Sequence, residues 1–153
     1  KGKKIYKFGL GQSPFPIPDI IVKELKKNAH KKDYLNISGL YELRKAVAEY
    51  HSKKNKYSYT EDNVIVGPGS KELIFHTQLV MEGDLLLPSP SWVSYEPQAK
   101  ILNKTIHWLP TTAKSNWHLL PETLDLVCQK LKHINKLLIL NSPNNPSGTV
   151  NEN

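Results

Sequence analysis

Two residue types that carry much protein chemistry are nearly missing from this sequence. Cysteine occurs once, as Cys128, and arginine once, as Arg44. A single cysteine excludes an internal disulfide and suits a reducing compartment, so a cytoplasmic location is expected. The scarcity of arginine, the usual reader of base edges, argues against nucleic-acid recognition. That exclusion matters because the 153 residues carry a formal net charge of +7, and a basic chain otherwise invites such a reading. The charge is almost all lysine, spread over residues 1–4, 26–32, 53–56 and 130–136, which is the pattern of a solvated surface. No apolar run approaches the roughly 18–20 residues of a membrane span, so no segment is expected to cross a bilayer. A signal-peptide core is also missing, although the first residue is Lys1 and not Met. The histidines, His107 and His118 among them, have no ligand-like spacing, and no metal is expected.

What is present is a globular composition, 39% hydrophobic with scattered aromatics, sufficient for a moderate core. Its focus is Val64-Ile65-Val66-Gly67-Pro68-Gly69-Ser70-Lys71-Glu72, followed by Leu73-Ile74-Phe75. This order reads as a short buried strand, a glycine-proline turn and the opening of a helix. Such a junction aims unpaired backbone N–H groups and the positive helix end at one spot, where an anion binds. Gly69 would let the backbone approach a ligand closely, and Ser70 would add a hydroxyl donor. Two common phosphate loops are excluded. A P-loop needs four residues between its glycines and then Lys-Ser/Thr, and the dinucleotide fingerprint needs a third glycine where Glu72 stands. On these residues alone, a phosphate cup of another kind and an ordinary strand-to-helix turn both stay open.

Around this junction the chain divides into simple units. Residues 1–18 are irregular, since Pro14, Pro16 and Pro18 cannot join a regular element, and Phe15 and Ile17 between them look like anchors. A helix is expected from Asp19, with Ile21, Val22, Leu25 and Ala29 as its apolar stripe and lysines opposite. A loop holding Tyr34 and Gly39 leads to a second helix carrying Leu40, Leu43, Val47 and Tyr50 at helical spacing. The polar run 52–63 reads as a linker and places the main boundary between units 1–52 and 53–153. Residues 72–81 form a helix apolar on most sides, hence expected to be buried. Leu85-Leu86-Leu87 is a strand ended by Pro88, Pro97 suits the first turn of a helix reaching about Leu102, and residues 105–109 form a further strand. Pro121 opens a helix with Leu124, Val127, Leu131 and Ile134 on one stripe and Cys128 beside it as a packing residue, followed by a strand over 136–140. Alternating helices and near-continuous apolar strands specify an α/β layer with a mostly parallel sheet. Ligands on such sheets sit beyond the carboxyl ends of the strands, where loops 67–71, 88–92 and 142–148 emerge.

These loops carry a resemblance. Gly9-Leu10-Gly11-Gln12-Ser13-Pro14-Phe15-Pro16 and Tyr34 five residues before Gly39, with Leu43-Arg44 following, lie in one part of the chain. Gly69-Ser70-Lys71-Glu72, Pro90-Ser91-Trp92-Val93-Ser94-Tyr95 and Ser142-Pro143-Asn144-Asn145-Pro146-Ser147-Gly148 lie in the other. Together, in this order and spacing, they resemble the class I/II aminotransferases of the fold-type I pyridoxal-phosphate enzymes. The resemblance implies part of a three-layer α/β/α large domain, preceded by an N-terminal arm and small-domain helices. It also implies pyridoxal 5'-phosphate as cofactor and amino-acid and 2-keto-acid substrates. By the same resemblance, Gly69, Ser70 and Lys71 hold the cofactor phosphate through backbone N–H groups, and the Lys71 ammonium is not required. Trp92 stacks on the pyridine ring, and Asn145 hydrogen-bonds the ring's phenolic oxygen. Tyr34 reaches the phosphate of the neighbouring subunit, implying a twofold homodimer. Gly11 lies near the substrate carboxylate.

One departure from the family is large. Its Schiff-base lysine, its aspartate at the ring nitrogen, a second ring-oxygen donor and its carboxylate-binding arginine all lie downstream of the asparagine motif. No lysine here has a matching context, and Arg44 belongs to a helix motif. The expectation is therefore the N-terminal part of a longer enzyme, either a truncated product or a cut sequence, inactive on its own. A carbon–sulfur lyase or related eliminase of the same fold, and a non-catalytic truncated product, stand as alternatives.

Overall fold

The computed structural model describes residues 2, 4, 5 and 11–151; Gly9 and Leu10 of the N-terminal loop, with Lys1, Lys3 and Asn153, lie outside them. Three strands form one parallel sheet: β1 (Asp84–Ser89) lies between β2 (Ile106–Pro110) and β3 (Lys136–Leu138). Leu85 pairs with Ile106 on one side and with Leu137 on the other. Leu85, Leu86 and Leu87 are 0–1% exposed, as a strand covered on both faces requires. Successive side chains alternate between faces, so Leu85 and Leu87 share one. That face packs with Tyr95 and Ala99 of α4 (Tyr95–Ile101) and with Ile74 of α3 (Ser70–Val80). The helix α5 (Pro121–Lys130), opened by Pro121 as expected, contacts β2. Cys128 on α5 is half-buried. This is a partial α/β fold, with the helices and parallel strands in the expected order.

The entry to β1 is tightly built. Gly83 has φ +110°, and a Cβ there would lie 2.1 Å from the Asn135 carbonyl oxygen. The next residue, Asp84, donates its N–H to that same oxygen at 2.9 Å, which aligns β1 with the start of β3. Lys104 donates from Nζ to the Met81 carbonyl at 2.6 Å and the Gly83 carbonyl at 3.2 Å, satisfying backbone acceptors after α3. His107 Nε2 lies 2.7 Å from Asp84 Oδ2 across the β1–β2 pair.

The N-terminal helices are α1 (Asp19–Asn28) and α2 (Tyr41–Asn55). Asp19 in the first turn of α1, with Lys26 and Lys27 in its last, complements the helix dipole. The apolar stripe of α1 is largely uncovered among the described residues: Ile21 and Leu25 are exposed and Val22 only partly buried, and Ile20 and the expected anchors Phe15 and Ile17 are exposed too. The run read as a linker is more ordered than its composition suggests. Its first four residues continue α2, which ends where Lys56 turns left-handed. Thr60 and Asn63 close a capping box around a short 3₁₀ turn, and Arg44 of α2 donates from Nη1 to the Glu61 carbonyl at 2.7 Å.

Two further expectations are corrected. Residues 64–66 are extended but join no ladder among the described residues; the Val66 N–H donates to the Ser38 carbonyl at 2.9 Å. An apolar run supplies strand conformation but not a hydrogen-bonding neighbour. The helix α3 is not buried all round. Gln78 is its only buried residue, and Leu79 and Val80 are exposed, because the chain places other elements against one side only. Among the described residues no helix is long and apolar enough to cross a membrane.

Gly83→Ala is expected to destabilise the fold by about 1–3 kcal/mol, since both its φ and its contact with Asn135 oppose a side chain. Gly69→Ala, where a Cβ meets nothing within 4 Å, is expected to stay within about 0.5 kcal/mol. Urea-unfolding midpoints of the two variants check the order.

Candidate functional site

Three segments converge beyond the carboxyl edge of the sheet. The first is the turn before α3. Glu72 and Leu73 donate their N–H groups to the Gly69 carbonyl at 3.1 and 3.2 Å, which starts the helix. No side chain caps it. The N–H groups of Ser70 and Lys71 precede those first bonds and so have no acceptor within the helix. Gly69 is extended, a conformation open to any residue, so the chain itself does not demand glycine there. Gly67 is different: a Cβ would lie 2.8 Å from Leu73 Cδ2, so its absence lets the turn fold onto the helix.

The second segment follows β1. The Trp92 carbonyl accepts the Tyr95 N–H at 3.2 Å, and the two rings meet edge-on with centroids 5.3 Å apart. Lys71 Nζ lies 5.2 Å from the Trp92 ring centroid, a cation–π contact worth about 0.5–1 kcal/mol at an exposed position. Burial pushes the Tyr95 hydroxyl above its usual pKa, so it stays a neutral phenol.

The third segment follows β3. Its two asparagines do different things. Asn144 Nδ2 donates to Ser147 Oγ at 2.7 Å and to the Pro90 carbonyl at 3.3 Å, tying this loop to the second. Its backbone closes the turn, through Asn144 N–H to the Thr149 carbonyl and Gly148 N–H to the Asn144 carbonyl. The Asn145 amide, by contrast, has no hydrogen-bond partner among the described residues.

Ser70, Trp92 and Asn145 line one cavity of about 540 Å³, with Tyr95, Gln78 and the apolar end of β3. Gly69 and Lys71 border an adjoining groove with Phe75 and Gln98. Tyr34 is fully exposed, Gly11 is exposed with open space around it, and neither lines the cavity. Gln78 is a lining residue that the sequence reading did not single out. No signal marked it out, since it follows His76 and Thr77 in a polar triplet within the helix. Among the described residues no group of three His, Cys, Asp or Glu could hold a metal ion.

The sequence pattern described as aminotransferase class I and II matches residues 3–152. A probable aspartate/prephenate aminotransferase of Aquifex aeolicus is 34% identical over 99% of this chain and 39% of its own length. A bifunctional aspartate aminotransferase and glutamate/aspartate-prephenate aminotransferase of Petunia hybrida is also 34% identical, over 97% and 32%. Among solved structures, the aspartate aminotransferase of Thermotoga maritima superposes with a TM-score of 0.82 at 28% identity, over 94% of this chain and 39% of that one. The chain thus spans about two fifths of the length of such relatives.

The unequal asparagines give a direct expectation. Asn144→Ala removes the tie between two loops and should cost about 1–2 kcal/mol, with faster amide exchange at Gly148 and Thr149. Asn145→Ala should leave both nearly unchanged. Hydrogen exchange followed by mass spectrometry separates the two.

Proposed function

The chain belongs to the class I and II aminotransferase family, and we propose that it is the N-terminal, cofactor-cradling portion of an enzyme that moves an amino group between an amino acid and a 2-keto acid. One observation carries this reading: Ser70, Trp92 and Asn145, from three separate loops, border a single cavity of about 540 Å³. That volume falls within the roughly 300–1,000 Å³ typical of small-molecule sites.

The residues fit pyridoxal 5'-phosphate on their own chemistry. Unspent N–H groups at Ser70 and Lys71, open space before Gly69 and the positive end of α3 suit a dianionic phosphate. Trp92 offers a flat apolar face for a heteroaromatic ring. The unpartnered Asn145 amide can donate to a ring oxygen, which favours that oxygen as an anion. When bound, the cofactor supplies an electron sink for bond breaking at the substrate's amino-bearing carbon. The role of this chain is to hold and orient: the cup fixes one end of the ring and Asn145 another edge. The Lys71 ammonium adds positive charge beside the cup while resting over Trp92. Tyr34, fully exposed on its own chain, is assigned to the cofactor phosphate of a second copy in a homodimer, and Gly11 to the substrate carboxylate. The division into units 1–52 and 53–153 belongs to this reading, although α2 continues across that point to Asn55.

Transamination is favoured over elimination because the named relatives are aminotransferases. Those names share aspartate, which makes it the first amino donor to test. Catalysis additionally requires the lysine that the family uses to hold the cofactor aldehyde, and no lysine of this chain has that context.

In the full-length protein, pyridoxal phosphate should bind saturably, followed by quenching of tryptophan emission. Ser70→Pro, which deletes a backbone donor of the cup, should weaken binding about tenfold, or about 1.4 kcal/mol, and more than Lys71→Ala does. The reverse order would mean that side-chain charge holds the phosphate. The 153-residue chain alone should give no transfer from aspartate to a 2-keto acid; turnover at an ordinary enzymatic rate would overturn its role as a portion of the enzyme.

A further inference from the structure

The phosphate cup is only as good as the placement of the first turn of α3, and the apolar packing of that helix, through Ile74, is on one side only. Gln78 is its only buried residue. Besides the packing of Leu73 and Ile74, the first turn is held by a side-chain amide from α4. Gln98, 8% exposed, donates from Nε2 to the Lys71 carbonyl at 2.8 Å. A carbonyl has two lone pairs, so Lys71 can accept this bond besides its helical one. Because that carbonyl can only accept, the Gln98 amide has one possible orientation. Its Oε1 must then accept, and it does so from Gln78 Nε2 at 3.0 Å.

The arrangement runs from α4 through the cup to the stacking ring. The carbonyl of Lys71 is gripped by Gln98, its N–H belongs to the cup, and its Nζ lies 5.2 Å from the Trp92 ring centroid. The amide pair costs stability as well as giving it. Gln78 is 0% exposed, and its Oε1 has no partner among the described residues. An unsatisfied buried acceptor is unfavourable, whereas replacing both members of a buried hydrogen-bonded pair by apolar groups of similar shape is close to neutral. Helix packing alone therefore gives no reason for two glutamines here. Directionality does, because an amide bond sets the angle of the turn it holds and a methyl contact does not.

Building on the phosphate-cup reading above, we infer that Gln98, braced by Gln78, is a positioning residue that aims the cup's N–H groups at the cofactor phosphate. Gln98 lies outside the lining of the cavity, whereas Gln78 is part of it. The effect should appear more strongly in phosphate recognition than in ring binding. The test compares pyridoxal phosphate with pyridoxal, which has the same ring and no phosphate, as ligands of the full-length protein. The doubly substituted variant Gln78→Met with Gln98→Met keeps volume while deleting every amide bond, and its thermal midpoint should match or exceed the parent's. Gln98→Met alone serves as a second variant if the pair proves difficult to purify.

The preference for pyridoxal phosphate over pyridoxal should fall about tenfold, equivalent to about 1.4 kcal/mol. Affinity for pyridoxal should fall less than affinity for pyridoxal phosphate, and in Gln98→Met, which leaves the cavity lining intact, it should stay within about twofold of the parent's. A preference kept at the parental value in a well-folded variant would overturn the positioning role and leave the amides as helix-packing groups. A parent protein with no preference for the phosphorylated ligand would instead overturn the cup reading itself.

Discussion

Sealing Leu85, Leu86 and Leu87 between two neighbouring strands and two side-chain layers is the constraint on which the rest depends. β1 is the strand with a partner on each side, so its position fixes those of β2 and β3. Each fully buried leucine contributes about 1.5–3 kcal/mol relative to exposure, enough to make this alignment the preferred one. Once β1 is fixed, the residues after Ser89 can emerge only at the carboxyl edge, and Trp92 is delivered to a point beside Tyr95. The start of the strand is held just as firmly, by the Asn135 carbonyl and the Lys104 ammonium. A site composed of three loops inherits its geometry from this one strand.

The parts of the fold set by local chemistry were legible in the residues. Asp19 after Pro18, Pro121 at the start of α5 and the apolar triplet of β1 each declare an element through its own composition. The convergence of Trp92 and Asn145 was legible for a different reason: parallel strands send their following loops to one edge, whatever the sequence between, whereas Ser70 joins them without a paired strand before it among the described residues. What could not be read was anything that needed a distant partner. Residues 64–66 carry the signature of a strand, yet ladder formation depends on a neighbour that composition does not reveal. Apolar residues around α3 promised burial on all sides, but only the face toward α4 and β1 is packed. The Gln78–Gln98 bond joins residues 20 positions apart on different helices, where no periodicity connects them.

The cavity also shows how similar residues diverge by position. Asn144 and Asn145 are adjacent and chemically identical, but one is consumed by its own loop and the other is left available. Lys71 contributes three separate groups: an N–H that the helix leaves unspent, a carbonyl that accepts from Gln98, and an ammonium over the Trp92 ring. A substitution there removes only the last of them, since the backbone groups belong to every residue except proline.

The exposed stripe of α1 makes association of this chain sensitive to salt. Ile20, Ile21 and Leu25 face solvent on a helix that also carries Lys23, Lys26 and Lys27. At low ionic strength, the mutual repulsion of molecules carrying a formal net charge of +7 keeps these stripes apart. Near physiological salt the repulsion reaches only about 8 Å, while an excluded salt such as sulfate strengthens apolar association. By these general rules the same helix face is less cohesive in dilute buffer than in concentrated sulfate, which makes dispersal a matter of solvent as much as of fold.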